Sequence, residues 1–484
     1  MSNAKDRKGG LTGALAWKMM ERFGVQIAQF VLQIILARIL DPDHYGTLSM
    51  MIVFTNLANV FIQTGFNTSL VQNKDVTEED YSSVFCVTLF VSLVLYGIIF
   101  VSAPFVSRYF EMPDIVAPLR VLALILIPGA LNSVQVAKIS RELDFKKVFT
   151  GNLIAILLSS VAGIVLAKLG AGLWALVAQT VINYTTAAIV MLFTVQWRPR
   201  LICNWKRVGV LFSFGWKLLV SCLLETFYQE IRSLVIGKKY DNTTLGFYNR
   251  GKQFPQFIIT SVAGALQSVM LPALSSKQDD AQGLHILTRN SIMVSAFIVF
   301  PMMAGIAGIA EPLVRVVLTD KWLPCVPYLQ VYCFTLAFSP VHSCNLQAIN
   351  AVGRSDIFLK LEIVKKAIGI GLLIGAVVFF RTPMAIALTG AISTVTSCII
   401  NAYPNKKLIN YSYIDQMKDV LPSFLAAALM LVVVLLVGMI KIPDVLLLVI
   451  QIVSGAGVYI LISAVMKLEP YLLLLEMLKK NLKK

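Results

Sequence analysis

Long apolar segments separated by short polar ones make up most of the chain. A helix that crosses a bilayer needs about 20 mainly apolar residues, and fourteen segments meet that requirement. The separators are charged and rich in turn residues, as in NKDVTEED at 73–80 and SSKQDDAQG at 275–283. The pattern therefore predicts an all-α polytopic membrane protein with about 14 transmembrane helices. The predicted spans, numbered 1 to 14 in chain order, are 11–37, 43–72, 82–103, 115–137, 149–168, 172–195, 208–236, 246–274, 290–314, 325–350, 357–380, 383–404, 420–440 and 445–466.

The second half of the chain repeats residues of the first half in the same order. The recurring pairs, first copy then second, are Trp17-Lys18 and Trp216-Lys217, Gln29 and Gln229, Asp41 and Asp241, Gly46 and Gly246, and Pro128 and Pro340. Spans 1–6 and 7–12 are therefore predicted to form two six-helix halves of like orientation, related by a pseudo-two-fold axis along the membrane normal. Spans 13 and 14 are two extra C-terminal helices. The predicted domains are an N-terminal lobe at 1–205, a C-terminal lobe at 206–410, and helices 13–14 with a basic tail at 411–484.

The composition strengthens the membrane prediction. The chain is 57% hydrophobic and only 14% charged, whereas soluble domains are about 25% charged. The polar first ten residues, MSNAKDRKGG, predict that span 1 is an uncleaved helix. A net charge of +16 would suggest nucleic acid for a soluble protein. In a membrane protein, Lys and Arg collect in cytoplasmic loops, so we expect the lipid bilayer and no nucleic acid as a partner.

The distribution of Lys and Arg also predicts orientation. They are roughly twice as numerous in the segments on the N-terminal side of the membrane as in the opposite loops, so both termini are predicted to be cytoplasmic. The exceptions are the acidic segment 73–80 and the basic outside segment 238–252. The seven cysteines form no CxxC pair and the three histidines lie far apart. We therefore expect no disulfide framework, no metal site and no cofactor. A phosphate-binding GxxxxGK[ST] loop is also absent from the sequence, which argues against direct use of ATP.

Polar residues inside the first spans of each half line up on one helix face. Within an arc of about 80° on span 1 lie Lys18, Arg22, Gln26, Gln29 and Gln33, with Glu21 just beside it. Within about 120° on span 7 lie Lys217, Ser221, Glu225, Gln229 and Arg232. The predicted cavity residues are Lys18, Glu21, Arg22, Gln26, Gln29 and Gln33 in span 1; Asn56, Asn59 and Gln63 in span 2; Lys217, Glu225, Gln229 and Arg232 in span 7; and Arg250 and Lys252 in span 8. A charge at the bilayer centre costs about 2.5–3.5 kcal/mol on insertion scales, so these faces are not expected to meet lipid.

Two interpretations of these faces stay open. They could line a hydrophilic cavity between the halves. Alternatively, Lys18 and Arg22 could extend to the inner interface while the amides join helices. A cavity of this kind carries more cations than carboxylates, and it suits an anionic substrate, because Arg matches phosphate and amides suit sugar hydroxyls.

The turn between spans 1 and 2 carries a resemblance to a known family. Together with the fourteen spans and the two halves, ARILDPDHYGTLSMM at 37–51 resembles the polysaccharide transporter family. These are the Wzx-type oligosaccharide (O-antigen) flippases of the multidrug/oligosaccharidyl-lipid/polysaccharide (MOP) exporter superfamily. The resemblance implies movement of undecaprenyl-diphosphate-linked oligosaccharides from the inner to the outer leaflet of a bacterial plasma (inner) membrane, for O-antigen, capsule or exopolysaccharide. It also implies a polysaccharide polymerase and chain-length machinery as partners.

The resemblance extends in part to individual residues. The related lipid II flippases have cations on helices 1, 2 and 8. Here Lys18 and Arg22 in span 1 and Arg250 and Lys252 in span 8 match, but span 2 has amides and does not.

The drug-exporting relatives use acidic residues for Na⁺ or H⁺, and Glu21, Glu225 and Glu230 are the carboxylates expected within spans. A cation-coupled multidrug exporter of the same superfamily is therefore one alternative. A membrane glycan polymerase or ligase is another.

Overall fold

Helices account for nearly all of the computed structural model. It describes residues 2–72, 75–142, 144–200, 202–275 and 280–482, and no strand occurs within those ranges. Three short 3₁₀ helices lie at Pro113–Ile115, Ala123–Ile125 and Asp320–Cys325. The α-helices are α1 Ser2–Ile39, α2 Pro42–Gln63, α3 Gly65–Gln72, α4 Glu78–Phe110, α5 Val116–Leu122, α6 Leu126–Glu142, α7 Phe145–Lys168, α8 Leu173–Thr194, α9 Trp205–Lys239, α10 Asn242–Ser275, α11 Ala281–Gly308, α12 Ala310–Val317, α13 Val326–Ala337, α14 Ser339–Ala351, α15 Ser355–Phe379, α16 Pro383–Leu408, α17 Tyr413–Val437, α18 Asp444–Val465 and α19 Glu469–Leu482.

Each predicted span coincides with one or two of these helices. Among the described residues, nine helical runs are long and apolar enough to cross a membrane, or up to ten if the bent pair Trp205–Ser213 and Gly215–Lys239 counts as one span. Helix α15 is outside that set, and it carries Lys360, Glu362 and Lys365 in its first half. The prediction of an all-α multi-pass protein is confirmed. The count of fourteen spans and the two repeated halves stay predictions.

Several helices expose large apolar side chains along a whole face. On α4, Phe90, Val101 and Phe105 are 64%, 66% and 67% exposed, and α18 exposes Val453 and Val465 in the same way. Contiguous apolar surface of this extent is rare on soluble proteins. Acyl chains solvate it without cost, so these faces are the ones that meet lipid.

The contacts divide the chain into two compact units, Met1–Gly246 and Phe247–Lys484. In the first unit, α7 packs on α1 and α8, and α9 packs on α2, α3 and α4. Its buried core includes Phe66, Val134 and Trp197. The predicted lobes at 1–205, 206–410 and 411–484 stay a prediction. They were defined by repeated sequence, whereas the two units are defined by contacts between residues.

An ion pair and a helix cap fix the beginning of α4 in the first unit. The amide of Asp80 donates to the hydroxyl of Thr77, and the Asp80 carboxylate accepts from the Thr77 amide at 2.8 Å, which forms a capping box. Arg207 of α9 donates from Nε to Asp80 Oδ1 at 2.7 Å and from Nη2 to Oδ2 at 2.5 Å. Asp80 is 2% exposed, so its charge is compensated where it is buried.

The second unit is built around α11, which packs on α13, α14 and α17. The rings of Phe300, Phe338 and Phe424 pack against one another between these helices, with Phe300 edge-to-face to the other two. At one end, Arg289 of α11 donates to Asp419 of α17 at 2.8 Å and to Glu469 of α19 at 2.7 Å. These hydrogen bonds from Arg289 lower the pKa of Glu469 from its ordinary value, and they hold the last helix in place.

Candidate functional site

The predicted cavity face of span 1 lies on helix α1. Lys18, Glu21 and Arg22 fall within the helix, but their side chains lie outside the described part of the structure. Gln29 is exposed and Gln33 is partly exposed. We call Gln26, Gln29 and Gln33 the glutamine face of α1.

A second exposed face of α1 is apolar. Ile27, Val31 and Ile35 are 53%, 48% and 37% exposed, and at about 100° per residue they lie on the side opposite the glutamine face. Leu36, by contrast, is fully buried, and α1 packs on α7. Helix α1 therefore presents two chemically different exposed surfaces, one suited to acyl chains and one suited to a polar environment.

The amides predicted for span 2 point in different directions. Asn56 donates from Nδ2 to Glu230 Oε1 of α9 at 3.1 Å. Asn59 is 9% exposed, and its Oδ1 faces Gly129 of α6, close enough to touch a Cβ placed there at 3.5 Å. Gln63 is exposed. The three predicted amides therefore do not share one surface: Asn56 contacts α9, Asn59 faces α6, and Gln63 is exposed.

The polar face of α9 is largely engaged with itself and with α2. Glu225 accepts from Gln229 Nε2 at 2.9 Å, and Arg232 lies over the ring of Tyr228 at 5.3 Å. Lys217 is exposed. Glu230 lies on another side of α9 and bonds Asn56, so Glu225 and Glu230 are each hydrogen-bonded to an amide, which stabilises them without cancelling their charge.

The cations of span 8 lie on α10 in the second unit. Arg250 is 4% exposed; its guanidinium lies over the ring of Trp322 at 5.0 Å and bonds the side-chain oxygen of Gln253. Lys252 is partly exposed. In this conformation, therefore, aromatic packing compensates Arg250, and a ligand would have to displace that packing to reach the guanidinium.

A buried ion pair on α15 is a feature that our sequence reasoning missed. Lys365 is 6% exposed, and its ammonium lies 2.5 Å from Glu362 Oε1 one turn earlier. Glu362 therefore joins Glu225 and Glu230 as a carboxylate within the predicted spans. The Glu-x-x-Lys spacing inside an apolar helix was the available signal, because charges there are costly unless paired.

A buried cluster of amides also escaped prediction. Asn345 of α14, Asn405 of α16 and Gln416 of α17 are at most 2% exposed; we call them the amide triad. Asn345 and Gln416 exchange two hydrogen bonds at 2.8 and 2.9 Å, and Asn405 donates to Asn345 Oδ1 at 2.6 Å. The triad joins three helices of the second unit. Among the residues that the structure describes, no group of three or more His, Cys, Asp or Glu side chains is placed to hold a metal ion.

The second unit also contains two apolar grooves. One, of about 420 Å³, lies among α10, α11, α17 and α18 and is lined by residues such as Ile258, Pro301 and Gly455. The other, of about 300 Å³, lies among α11, α13 and α17 and includes Phe334 and Phe424. Grooves of this chemistry in a membrane accept hydrocarbon chains.

Solved structures with the same helical arrangement are transporters. The chain is similar to the lipid II flippase MurJ in its inward closed conformation, with a TM-score of 0.74 and 15% identity over 93% of this chain and 98% of that one. A multidrug resistance MATE family transporter of the MOP superfamily matches with a TM-score of 0.60 and 14% identity over 84% of this chain and 95% of that one. These likenesses show that the chain has the helical fold of multi-pass membrane proteins of this kind.

The sequence comparisons identify the family of the chain. A family described as "Polysaccharide biosynthesis protein" matches residues 35–327, and the chain belongs to that family. The succinoglycan biosynthesis transport protein ExoT of Rhizobium meliloti (strain 1021) is 24% identical over 425 residues, which cover 85% of this chain and 81% of that protein. The lipopolysaccharide biosynthesis protein WzxC of Escherichia coli (strain K12) is 22% identical over 337 residues, which cover 68% of each.

Proposed function

We propose that the chain moves undecaprenyl-diphosphate-linked oligosaccharide repeat units from the inner to the outer leaflet of a bacterial plasma membrane. The glycan would serve O-antigen, capsule or exopolysaccharide biosynthesis. The observation that carries the proposal is the pair of opposite faces on α1: the glutamine face, on which Gln29 is exposed, and an exposed apolar face at Ile27, Val31 and Ile35. A helix with both surfaces suits a path in which sugars are solvated by amides while hydrocarbon stays in lipid.

The headgroup path is proposed to run between the two repeated halves. Their spacing along the sequence predicts that Lys18 and Arg22 continue the glutamine face towards the N-terminus of α1, where they would suit a diphosphate. The cations of α10 would contribute once Arg250 leaves the Trp322 ring. The polyprenyl chain would stay in lipid, beside the apolar face of α1 at Ile27, Val31 and Ile35. The halves would alternate between inward-open and outward-open states.

The membrane potential contributes to the direction of movement. With both termini cytoplasmic and the inside negative, outward movement of an anion is favoured by about 2.3 kcal/mol per charge per 100 mV. A dianionic diphosphate would therefore gain roughly 4–5 kcal/mol at 100 mV, less any part that the cations of the protein neutralise in transit. A polysaccharide polymerase and chain-length machinery are the proposed partners downstream.

A cation-coupled multidrug exporter is the second candidate. The contact between Glu230 and Asn56 at 3.1 Å favours it, because an amide leaves the charge of the carboxylate uncancelled and a monovalent cation can then bind it. The two candidates make opposite predictions for Gln29, which only the glycan path requires.

Deletion of the gene in its host, followed by analysis of lipid-linked glycans, tests the proposal. We expect complete repeat units to accumulate at the inner leaflet and surface polymer to be lost. Complementation with Gln29→Leu should lower polymer output about fivefold, because one lost hydrogen bond is worth about 1 kcal/mol. Val31→Leu, on the apolar face of the same helix, is the matched control and should restore full output. Unchanged polymer together with increased drug sensitivity would instead identify the exporter.

A further inference from the structure

The segment between α8 and α9 forms one wall of a polar pocket in the first unit. The pocket has a volume of about 690 Å³ and is lined by the start of α4, by Lys138 of α6 and by residues 196–202 of the segment. Ligand sites usually have volumes of about 300–1,000 Å³. The glycan path proposed above does not use this pocket.

The segment is fixed against α4 at both of its ends. Near its beginning, Trp197 is 3% exposed and packs on the rings of Tyr81 and Phe85. Near its end, the backbone amide of Asn204 donates to Ser83 Oγ at 3.0 Å. The wall is therefore part of the packed unit, and its side chains are held in place.

Two arginines of the segment line the pocket together. Pro199 favours an extended conformation for Arg198, and Arg200, two residues further on, lines the same pocket. Arg198 Nη1 donates to the carbonyls of Val195 and Trp197 at 2.6 and 3.2 Å. Carbonyls position this guanidinium without cancelling its charge, and Arg200 is exposed. Two guanidinium groups on one wall suit a phosphate.

The opposite wall contributes a carboxylate. Glu78 is paired with Lys138 at 2.5 Å, so its charge is compensated. The Glu79 carboxylate accepts from the neutral side-chain amide of Asn204 at 3.4 Å, and this contact leaves its charge in place. Arg207 is occupied by the ion pair at the beginning of α4. The pocket therefore presents cations on one side and a carboxylate on the other, which suits a ligand with both charges.

Exposed apolar side chains adjoin the pocket. Phe193, Ile202 and Trp205 are 80%, 45% and 71% exposed. Tryptophan is enriched where the hydrocarbon of a bilayer meets the headgroups. These three side chains therefore place the pocket at headgroup level, and the predicted orientation places it in the cytoplasmic leaflet.

We propose that this pocket binds the headgroup of a phospholipid that carries a primary amine. The phosphate lies between Arg198 and Arg200, the ammonium donates to Glu79, and the acyl chains lie along the adjoining apolar side chains. A purely anionic headgroup offers nothing to Glu79, and a quaternary amine has no hydrogen to donate to it. The bound lipid holds the segment that joins the two predicted halves, and the site does not depend on which substrate is transported.

Native mass spectrometry of the full chain in detergent measures the preference. The chain is mixed with equal amounts of phosphatidylethanolamine, phosphatidylglycerol and phosphatidylcholine. We expect phosphatidylethanolamine to be retained about fivefold more than either of the others, and Arg200→Gln to lower its retention about fivefold, because each change removes a hydrogen bond to a charged group. Lys168→Gln removes an exposed cation of α7 outside the pocket and should change nothing. Equal retention of the three lipids by the parent chain would overturn the proposal.

A second variant tests the amine contact separately. Glu79→Gln should make the retention of phosphatidylethanolamine and phosphatidylcholine equal, without lowering that of phosphatidylglycerol. Glu79 and Arg200 are both exposed, so both variants should keep the parental Tm. Water-soluble phosphoethanolamine should displace the lipid only in large excess. Displacement at equal concentration would identify a soluble ligand instead of a lipid, and an unchanged preference in Glu79→Gln would refute the role of the amine.

Discussion

Loss of Asn345 should destabilise the second unit measurably. In the amide triad, Asn345 makes three interhelical side-chain hydrogen bonds: it donates to Gln416 at 2.8 Å, accepts from Gln416 at 2.9 Å and accepts from Asn405 at 2.6 Å. In Asn345→Ala all three are lost, and the amides of Gln416 and Asn405 stay buried.

The size of the effect depends on the state with which the folded protein is compared. In water, each buried polar group left unsatisfied costs about 1–3 kcal/mol. In a membrane, the separated helices also find partners, and interhelical hydrogen bonds average about 0.6 kcal/mol. Three bonds then amount to about 2 kcal/mol. For a unit of this size, 1 kcal/mol shifts Tm by about 2–4 °C, so we expect a decrease of about 4–8 °C.

Thermal unfolding of the detergent-solubilised chain measures this decrease. Thr396→Ala is the control, because the Thr396 hydroxyl bonds the carbonyl of Ile392 within its own helix α16 at 2.8 Å. Adding Gln416→Ala to Asn345→Ala should lower Tm by less than Gln416→Ala does alone, since the two side chains share their bonds. A decrease below 2 °C for Asn345→Ala, or strict additivity, would refute this account of the triad.

Two further predictions concern the packing of the second unit. Gly251→Ala should lower Tm, because its Cβ would lie 2.8 Å from the backbone nitrogen of Leu329. Gly371→Ala is the control and should leave Tm unchanged or slightly higher, because nothing lies within 4 Å of its Cβ. Equal Tm values for the two variants would contradict the close helix contact. Hydrogen bonds from Arg289 lower the pKa of Glu469 below its ordinary 4.5, so the stability of this contact is complete above about pH 4.5 and is lost as the pH falls through the lowered value. Protease cleavage of α19 should therefore be constant from about pH 8 to pH 5 and increase only below about pH 4.5, and an increase near pH 6 would be inconsistent with the pair.

Hydrophobic periodicity predicted the helices well, but it could not say what each polar face contacts. The glutamine face of α1 was placed by spacing alone, and the structure shows a polar face opposite an exposed apolar one. The same reasoning grouped Asn56 with Asn59, which face α9 and α6 respectively. Spacing determines the direction of a side chain from its own helix axis. The neighbouring helix determines whether that direction leads to protein, lipid or water.

The sequence analysis missed the amide triad and the buried Lys365, because both depend on contacts between helices that are distant in sequence or packed side by side. Asn345 and Gln416 are separated by 71 positions, and nothing local in either helix marks them as partners. Lys365 lies ten residues after the start of α15, about 15 Å along the helix, and the sequence alone does not show what surrounds it there. Its burial follows from the packing of α15 on α14 and α16, which no single helix encodes.

The polar residues of this chain fall into two groups. Those of one group are buried and hydrogen-bonded to protein, and those of the other are exposed. Asn345 is fully buried, and its hydrogen bonds to Gln416 and Asn405 compensate that loss within the fold. Gln29 is exposed on a helix whose opposite face is apolar, so its amide remains available to water or to a substrate. A buried, mutually bonded amide contributes to stability, whereas an exposed amide beside a translocation path contributes to transport. The two substitutions should therefore dissociate: Asn345→Ala lowers Tm, while Gln29→Leu lowers polymer export with Tm unchanged. A loss of Tm in Gln29→Leu would place that residue among the packing amides and remove the main support for a glycan path along α1.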